Sequence, residues 1–407
     1  GLRGAAAPGP GAPSFDGAFT PPRAAVAAPP RYDPSKPNAL VMSCALKHDI
    51  HLFKLFVGSL RKVAEYSGDV ALFMFKEDTE PLRVPGLTKF LDEQKVDMVP
   101  VPETKKCSKK LGACANDTTW GPEIPVAVAR YRWYAAYVDA RPGYDYILWS
   151  DFRDAVFQRD PFLDFAADAK GKDMIFNGEH LMRSLSRTDG GGLHTRWWIQ
   201  GCYGPILTAD PIPPDSPVLC SGTHVGTGPA IAAYLAPERI STWSSVLPLR
   251  LVREAYAARM PTPQKSSKTP SPGRARRYLK AYLANIDKQH ATGELKCVQD
   301  YGMDQGRRRR RTRRRRRRSA ATLDSRAGHH NYMAYYALPK DSYTVTPYDA
   351  GPVYSAGQVM HVPEDLKRDA EGYVLRSDGR RAALVHQYDR FKELIPFYQK
   401  MIRKLDL

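Results

Sequence analysis

Two aspartates three positions apart, Asp151 and Asp154, follow the apolar run Tyr146-Ile147-Leu148-Trp149 and enclose Arg153. Where a buried strand turns abruptly polar, two carboxylates at this spacing can face one cation. A hard divalent ion takes oxygen ligands and keeps positions open for phosphate oxygens. Arg153 beside them can neutralise a phosphate as well. Taken alone, the pair is better read as ordinary solvated charge, because carboxylates after strands are common. Two further segments carry useful residue types. Cys220-Ser221-Gly222-Thr223-His224-Val225-Gly226-Thr227 reads as a small-residue turn before a helix, and its glycines would let backbone approach a ligand closely. Ala383-Leu384-Val385-His386 ends an apolar run on an imidazole. A neutral imidazole can ligate manganese, although a lone histidine in such a place more often makes a structural hydrogen bond.

The elements that must position these groups are read from hydrophobic periodicity. Residues 39–45 form a short apolar run that enters a polar segment, a buried strand leading into a loop. Apolar residues at helical spacing (Leu52, Leu55, Phe56, Leu60, Val63) predict a helix over 50–66. Strands are expected over 69–75, 96–101, 146–149 and 173–176, and helices over 87–93, 125–140 and 228–236. Strands alternating with helices predict an α/β fold with a mixed, mainly parallel sheet flanked by helices. In such sheets ligands bind at the carboxyl ends of strands. The loops after residues 45, 75 and 149 would then share one edge, and the third carries Asp151, Arg153 and Asp154.

The segment Leu148-Trp-Ser-Asp151-Phe-Arg153-Asp154-Ala-Val-Phe-Gln-Arg-Asp160-Pro161-Phe162 resembles the metal-binding signature of GT-A fold glycosyltransferases, nearest to the glycogenin and lipopolysaccharide-galactosyltransferase type. It is the D-x-R-D variant, with Arg153 where strict D-x-D places its second carboxylate. The resemblance runs over about 39–407 and implies a single large catalytic domain with a Rossmann-like sheet. It implies Asp151, Asp154 and His386 as ligands of Mn²⁺ (or Mg²⁺), with "VHQYDR" as the corresponding strand end. It implies that Ser221, Gly222 and Thr223 line the sugar pocket. Gly302-Met-Asp304-Gln305-Gly306 resembles the start of a D-Q-x-x-x-N element beside the donor sugar, with Asp304 and Gln305 catalytic and Asn331 displaced from it by an insertion. Arg153 would contact phosphate or brace the aspartates, and Arg130 would reach the diphosphate. The implied partners are a nucleoside-diphosphate sugar, UDP-linked, and a glycan, protein or other hydroxyl acceptor. The implied stereochemistry is retention, and the family habit is Golgi or secretory-lumen residence.

Composition bounds these readings. The chain has 407 residues, 43% hydrophobic, and no apolar run long enough to span a bilayer; a membrane anchor upstream of Gly1 stays open. The formal charge of +18 invites a nucleic-acid reading, but Arg307–Arg311 and Arg313–Arg318 supply eleven of it and leave +7. That run lacks interleaved aromatics, so RNA or polyanion binding is the lesser alternative, and a catalytically inactive binding protein of the same fold is another. Residues 1–37, rich in Ala and Pro, read as a disordered stalk, and 38–407 as the catalytic domain with low-complexity insertions at about 261–277 and 307–327. None of the six cysteines forms a C-x-x-C pair, which argues against structural zinc. Cys107 and Cys114 lie in a polar stretch read as a loop and could close a small ring. The sequon Asn116-Asp117-Thr118 follows them.

Overall fold

Six small or apolar residues in succession, Ala39–Cys44, suit β1 to an inner place in a sheet covered on both faces. The computed structural model describes residues 38–75, 84–101, 114–117, 121–179, 216–235, 338, 341–356 and 366–405. After β1 come α1 (Ile50–Phe53), continued by π-helical turns over Lys54–Val63, then β2 (Asp69–Phe75), α2 (Leu87–Glu93) and β3 (Val96–Val101). A small hairpin, β4 (Cys114–Asp117) with β5 (Gly121–Pro125), precedes α3 (Val126–Ala140). There follow β6 (Tyr146–Asp151), β7 (Ala155–Phe157), α4 (Phe165–Ala169), β8 (Met174–Gly178), β9 (Leu219–Thr227) and α5 (Gly228–Leu235). The last elements are β10 (Tyr343–Thr346), β11 (Val353–Ser355), β12 (Leu384–His386) and α6 (Leu394–Arg403).

Seven strands form the main sheet in the order β10-β8-β9-β6-β1-β2-β3. β1 is parallel to β2 and β6, β2 to β3, and β8 to β10, whereas β9 is antiparallel to both β6 and β8. The sheet is thus mixed and mainly parallel. Alternation along the strands sends residues to two faces. Leu40, Met42, Phe73, Ile147 and Trp149 pack with Tyr134 and Tyr137 of α3 and Ile231 and Tyr234 of α5. Val41, Leu72, Met74 and Leu148 pack with Phe53, Phe56 and Leu60 and with Phe90 and Leu91 of α2. Among the described residues no helix is long and apolar enough to cross a membrane.

Four expectations change. The segment Cys220–Thr227, read as a turn, lies inside β9, between β6 and β8. Glycines there serve close packing and do not mark a turn: a Cβ on Gly226 would lie 2.9 Å from the Asp173 carbonyl oxygen and from Met174 Cγ. The strand at 146 runs two residues past Trp149, because parallel pairing with β1 continues through Cys44 opposite Asp151. Asp151 therefore ends a strand and does not sit in the loop. The helix over 50–66 is α-helical only at its start and widens into π turns, where the Ala64 N–H bonds the Ser59 carbonyl at 2.9 Å. That stretch brings Ser59 against β7, and its Oγ accepts the Phe157 N–H at 3.1 Å. Cys114 begins β4, outside any loop. The stalk 1–37, the insertions at 261–277 and 307–327, Cys107 and Thr118 of the sequon lie outside the described residues.

A smaller three-stranded sheet, in the order β11-β12-β7, carries the C-terminal part. β12 is parallel to β11 and antiparallel to β7, with Leu384 opposite Phe157 and His386 opposite Ala155. The buried amide of Gln158 ties this sheet to the residues on either side of β12. Its Nε2 donates to the Val374 and Ala382 carbonyls at 3.0 Å each, and its Oε1 accepts from the Val374 N–H at 2.8 Å and the Tyr398 hydroxyl at 3.0 Å.

Candidate metal centre

Asp151 closes β6 at the carboxyl edge of the main sheet, in register with Cys44 at the end of β1. The chain then turns at Phe152, whose buried ring packs on Phe53 and Phe56 with centroids 4.7 and 4.9 Å apart. That anchor aims the next residues back across the sheet edge. Asp154 is buried immediately before β7. Pairing of β7 with β12 delivers His386 to the same place from 232 positions further on in the chain. Gln387 then adopts a left-handed conformation (φ 62°), and its N–H donates to the Asp154 carbonyl at 2.6 Å. The left-handed residue ends the strand and fixes β12 against the aspartate loop.

Asp151, Asp154 and His386 each offer a ligand atom, all within 4.8 Å of one another. His386 Nε2 lies 3.5 Å from Asp151 Oδ2 and 3.7 Å from Asp154 Oδ1. That nitrogen is buried and has no hydrogen-bond partner. The other ring nitrogen, Nδ1, is 3.2 Å from the sulfur of buried Cys220. Each aspartate is gripped by an arginine on its other oxygen. Arg130 of α3 pairs with Asp151 Oδ1 and donates to the Ser221 carbonyl at 3.0 Å. Arg153 is 3.3 Å from Asp154 Oδ2 and 3.4 Å from Asp389 Oδ2. One oxygen of each carboxylate is thereby left toward the imidazole.

Gly222 completes the cradle. A Cβ there would stand 2.5 Å from Asp151 Oδ2, 2.6 Å from His386 Cε1 and 2.7 Å from His386 Nε2. No side chain fits, so glycine in β9 is what admits the three groups together. The donor set of two carboxylate oxygens and one imidazole nitrogen suits Mn²⁺ or Mg²⁺. A buried nitrogen that makes no hydrogen bond and faces two carboxylates is the observation that fits a bound cation. Burial disfavours the charged ring of His386, but Cys220, Asp151 and Asp154 together hold it well above the ordinary histidine range. A proton and a cation would compete for the same Nε2 lone pair. Arg130 stays charged: burial opposes the charge, and Asp151 outweighs it.

Of the residues singled out from sequence, Asp151, Asp154, His386, Arg130, Arg153, Ser221 and Gly222 converge here. Thr223 is buried behind them, and its carbonyl accepts from Asn177 Nδ2 at 3.3 Å. Asp304, Gln305 and Asn331 lie outside the described residues. Sequence reasoning missed Asp389 and the role of Cys220. Asp389 stands in the "VHQYDR" segment, three residues after His386, where its charge was legible but its partner was not.

No family model and no curated protein matches the chain. Among solved structures it is similar to glucosyl-3-phosphoglycerate synthase from Mycobacterium tuberculosis. The complex of that enzyme with Mn²⁺, UDP and glucosyl-3-phosphoglycerate aligns at 11% identity and a TM-score of 0.27, over 48% of this chain and 58% of that one. Its complex with phosphoglyceric acid aligns at 10% and 0.28, and that with Mn²⁺, UDP-glucose and glycerol 3-phosphate at 12% and 0.27. The aligned part spans less than two thirds of that enzyme, and the reading of the site rests on its own residues.

Proposed function

We propose that the chain is a metal-dependent glycosyltransferase of the GT-A type that moves a sugar from a nucleoside-diphosphate sugar, a UDP-sugar, to a hydroxyl acceptor. The observation that carries the proposal is the convergence of Asp151, Asp154 and His386 Nε2, which makes no hydrogen bond, around Gly222 at the carboxyl edge of the sheet. The resemblance of the Asp151–Asp154 and His386 segments to GT-A signatures supports it. Asp151, Asp154 and His386 would hold a divalent cation, which would supply positive charge toward a diphosphate leaving group. Arg130 and Arg153 hold the aspartates by their outer oxygens, so that one oxygen of each faces the ring nitrogen. The edge of the sheet, where β1, β2 and β6 end together, is the natural seat for the donor. The resemblance favours retention of anomeric configuration and residence in the secretory lumen.

A screen of nucleotide sugars for Mn²⁺-dependent hydrolysis or transfer tests the proposal and names the donor. Turnover is expected with one sugar nucleotide, lost on chelation and restored by Mn²⁺. Asp151→Asn and Asp154→Asn should each lower it at least about 100-fold, the scale of removing a main charge-stabilising group. Full metal-dependent activity in either variant would sink the assignment.

A further inference from the structure

We infer that Cys220 is a positioning residue of the metal centre: its sulfur accepts the Nδ1 hydrogen of His386 and so presents the Nε2 lone pair to the cation. The inference rests on reading the cluster as a metal centre. A neutral imidazole has one hydrogen and one lone pair between its two nitrogens, and the ligating nitrogen must be the bare one. The hydrogen then sits on the other nitrogen, and when that is buried it needs an acceptor. Carboxylates and backbone carbonyls commonly fill that role. Here the atom facing Nδ1, at 3.2 Å, is the sulfur of a buried free thiol. The Thr223 hydroxyl also points at that sulfur, donating from 3.9 Å. That contact shows the sulfur in the role of an acceptor. On the far side of the ring, Nε2 makes no hydrogen bond and faces Asp151 at 3.5 Å and Asp154 at 3.7 Å. Cys220 can act this way because β9 runs antiparallel beside β6, which brings Cys220 and Gly222 to the end of the strand that carries Asp151. The opposite arrangement, with the thiol donating to Nδ1 and the hydrogen on Nε2, would make His386 a structural residue.

Two measurements separate these. The first is long-range proton–nitrogen correlation on the full chain, labelled with ¹⁵N-histidine and free of metal. Nδ1 should carry hydrogen whether the ring is neutral or protonated. A bare Nδ1 with hydrogen on Nε2 overturns the inference. The second is Mn²⁺ binding, followed by the electron paramagnetic signal of free Mn²⁺. Cys220→Ala should weaken binding by roughly 10- to 100-fold. Cys220→Ser, which keeps an acceptor, should recover most of the loss. A Cys220→Ala protein that binds Mn²⁺ like the parent overturns the inference, as does a folded Cys220→Ser no better than the alanine variant. If the parent chain binds no Mn²⁺, the metal reading itself fails, and the ring-nitrogen measurement still decides the Cys220 pairing by itself.

Discussion

At the scale of single residues, the absence of a side chain matters as much as the ligands do. Gly222 is the point where backbone of β9 lies against Asp151 and His386, and a methyl group would occupy the space of both. Gly222→Ala is therefore expected to push the ligands apart and to weaken Mn²⁺ binding at least about 10-fold, the scale on which small misplacements act. Calorimetric titration checks this, and unchanged affinity would remove Gly222 from the site. His224, two residues on in the same strand, behaves in the opposite way. Its ring is fully buried against Trp149 and Phe176, and burial lowers its pKa from 6.5 to about 3. The unfolded chain takes up a proton below about pH 6.5 that the folded chain refuses until about pH 3. Stability from this group is thus whole above pH 6.5 and is lost as pH falls through that window. The His224 ring resonances should stay constant from pH 8 to about pH 4, and titration of that ring near 6.5 would refute the assignment.

At the scale of elements, the site depends on the small sheet. Pairing of β12 with β7 and the turn at Gln387 carry His386 to the aspartates. Gln158, one residue past β7, holds that arrangement by four buried hydrogen bonds to Val374, Ala382 and Tyr398. Gln158→Leu keeps the volume but takes the hydrogen-bond partner from the Ala382 carbonyl, the Val374 N–H and the Tyr398 hydroxyl, at about 1 kcal/mol or more for each. A loss of about 3–5 kcal/mol in unfolding free energy is expected by urea titration, together with weaker metal binding, because His386 loses its platform. A variant with parent-like stability would show that the C-terminal part is held by other means. The same region carries the buried pair of Arg376 with Asp168, two bonds of 2.7 Å each, which ties α4 to the C-terminal segment.

At the scale of the whole molecule, a ligand that binds the folded chain alone must stabilise it. Mn²⁺ at a hundred times its dissociation constant should add about 2.7 kcal/mol, seen as a rise in melting temperature. Asp151→Asn, Asp154→Asn and His386→Ala should lose most of that rise, and a rise that survives in all three would place the cation elsewhere. The charge of the chain is dominated by the arginines of 307–318. Deleting 307–327 is expected to leave the Mn²⁺ shift intact and to retain or improve sugar transfer. If loss of nucleic-acid binding were instead the main consequence, the polyanion reading would gain over the enzyme reading.

Amino-acid order alone determined the elements with an apolar run or an apolar period of their own. The strands Asp69–Phe75 and Val96–Val101 and the helix Leu87–Glu93 follow from their apolar patterns, as do the start of β6 and nearly all of α3. It also marked Asp151, Asp154 and His386, since a strand that ends on acidic or imidazole groups is visible without knowing where it lies. Tertiary structure decided the rest. Small residues in Leu219–Thr227 carry no period of their own, and only the flanking strands β6 and β8 make that segment a strand. The partners of the three candidate ligands, Arg130, Arg153 and Cys220, come from a helix, a turn and a distant strand. Their roles depend on contacts closed through space, which local pattern does not encode. The Asp151–Asp154 pair is a strand end in sequence, and it is the pairing of β7 with β12 that brings His386 to it.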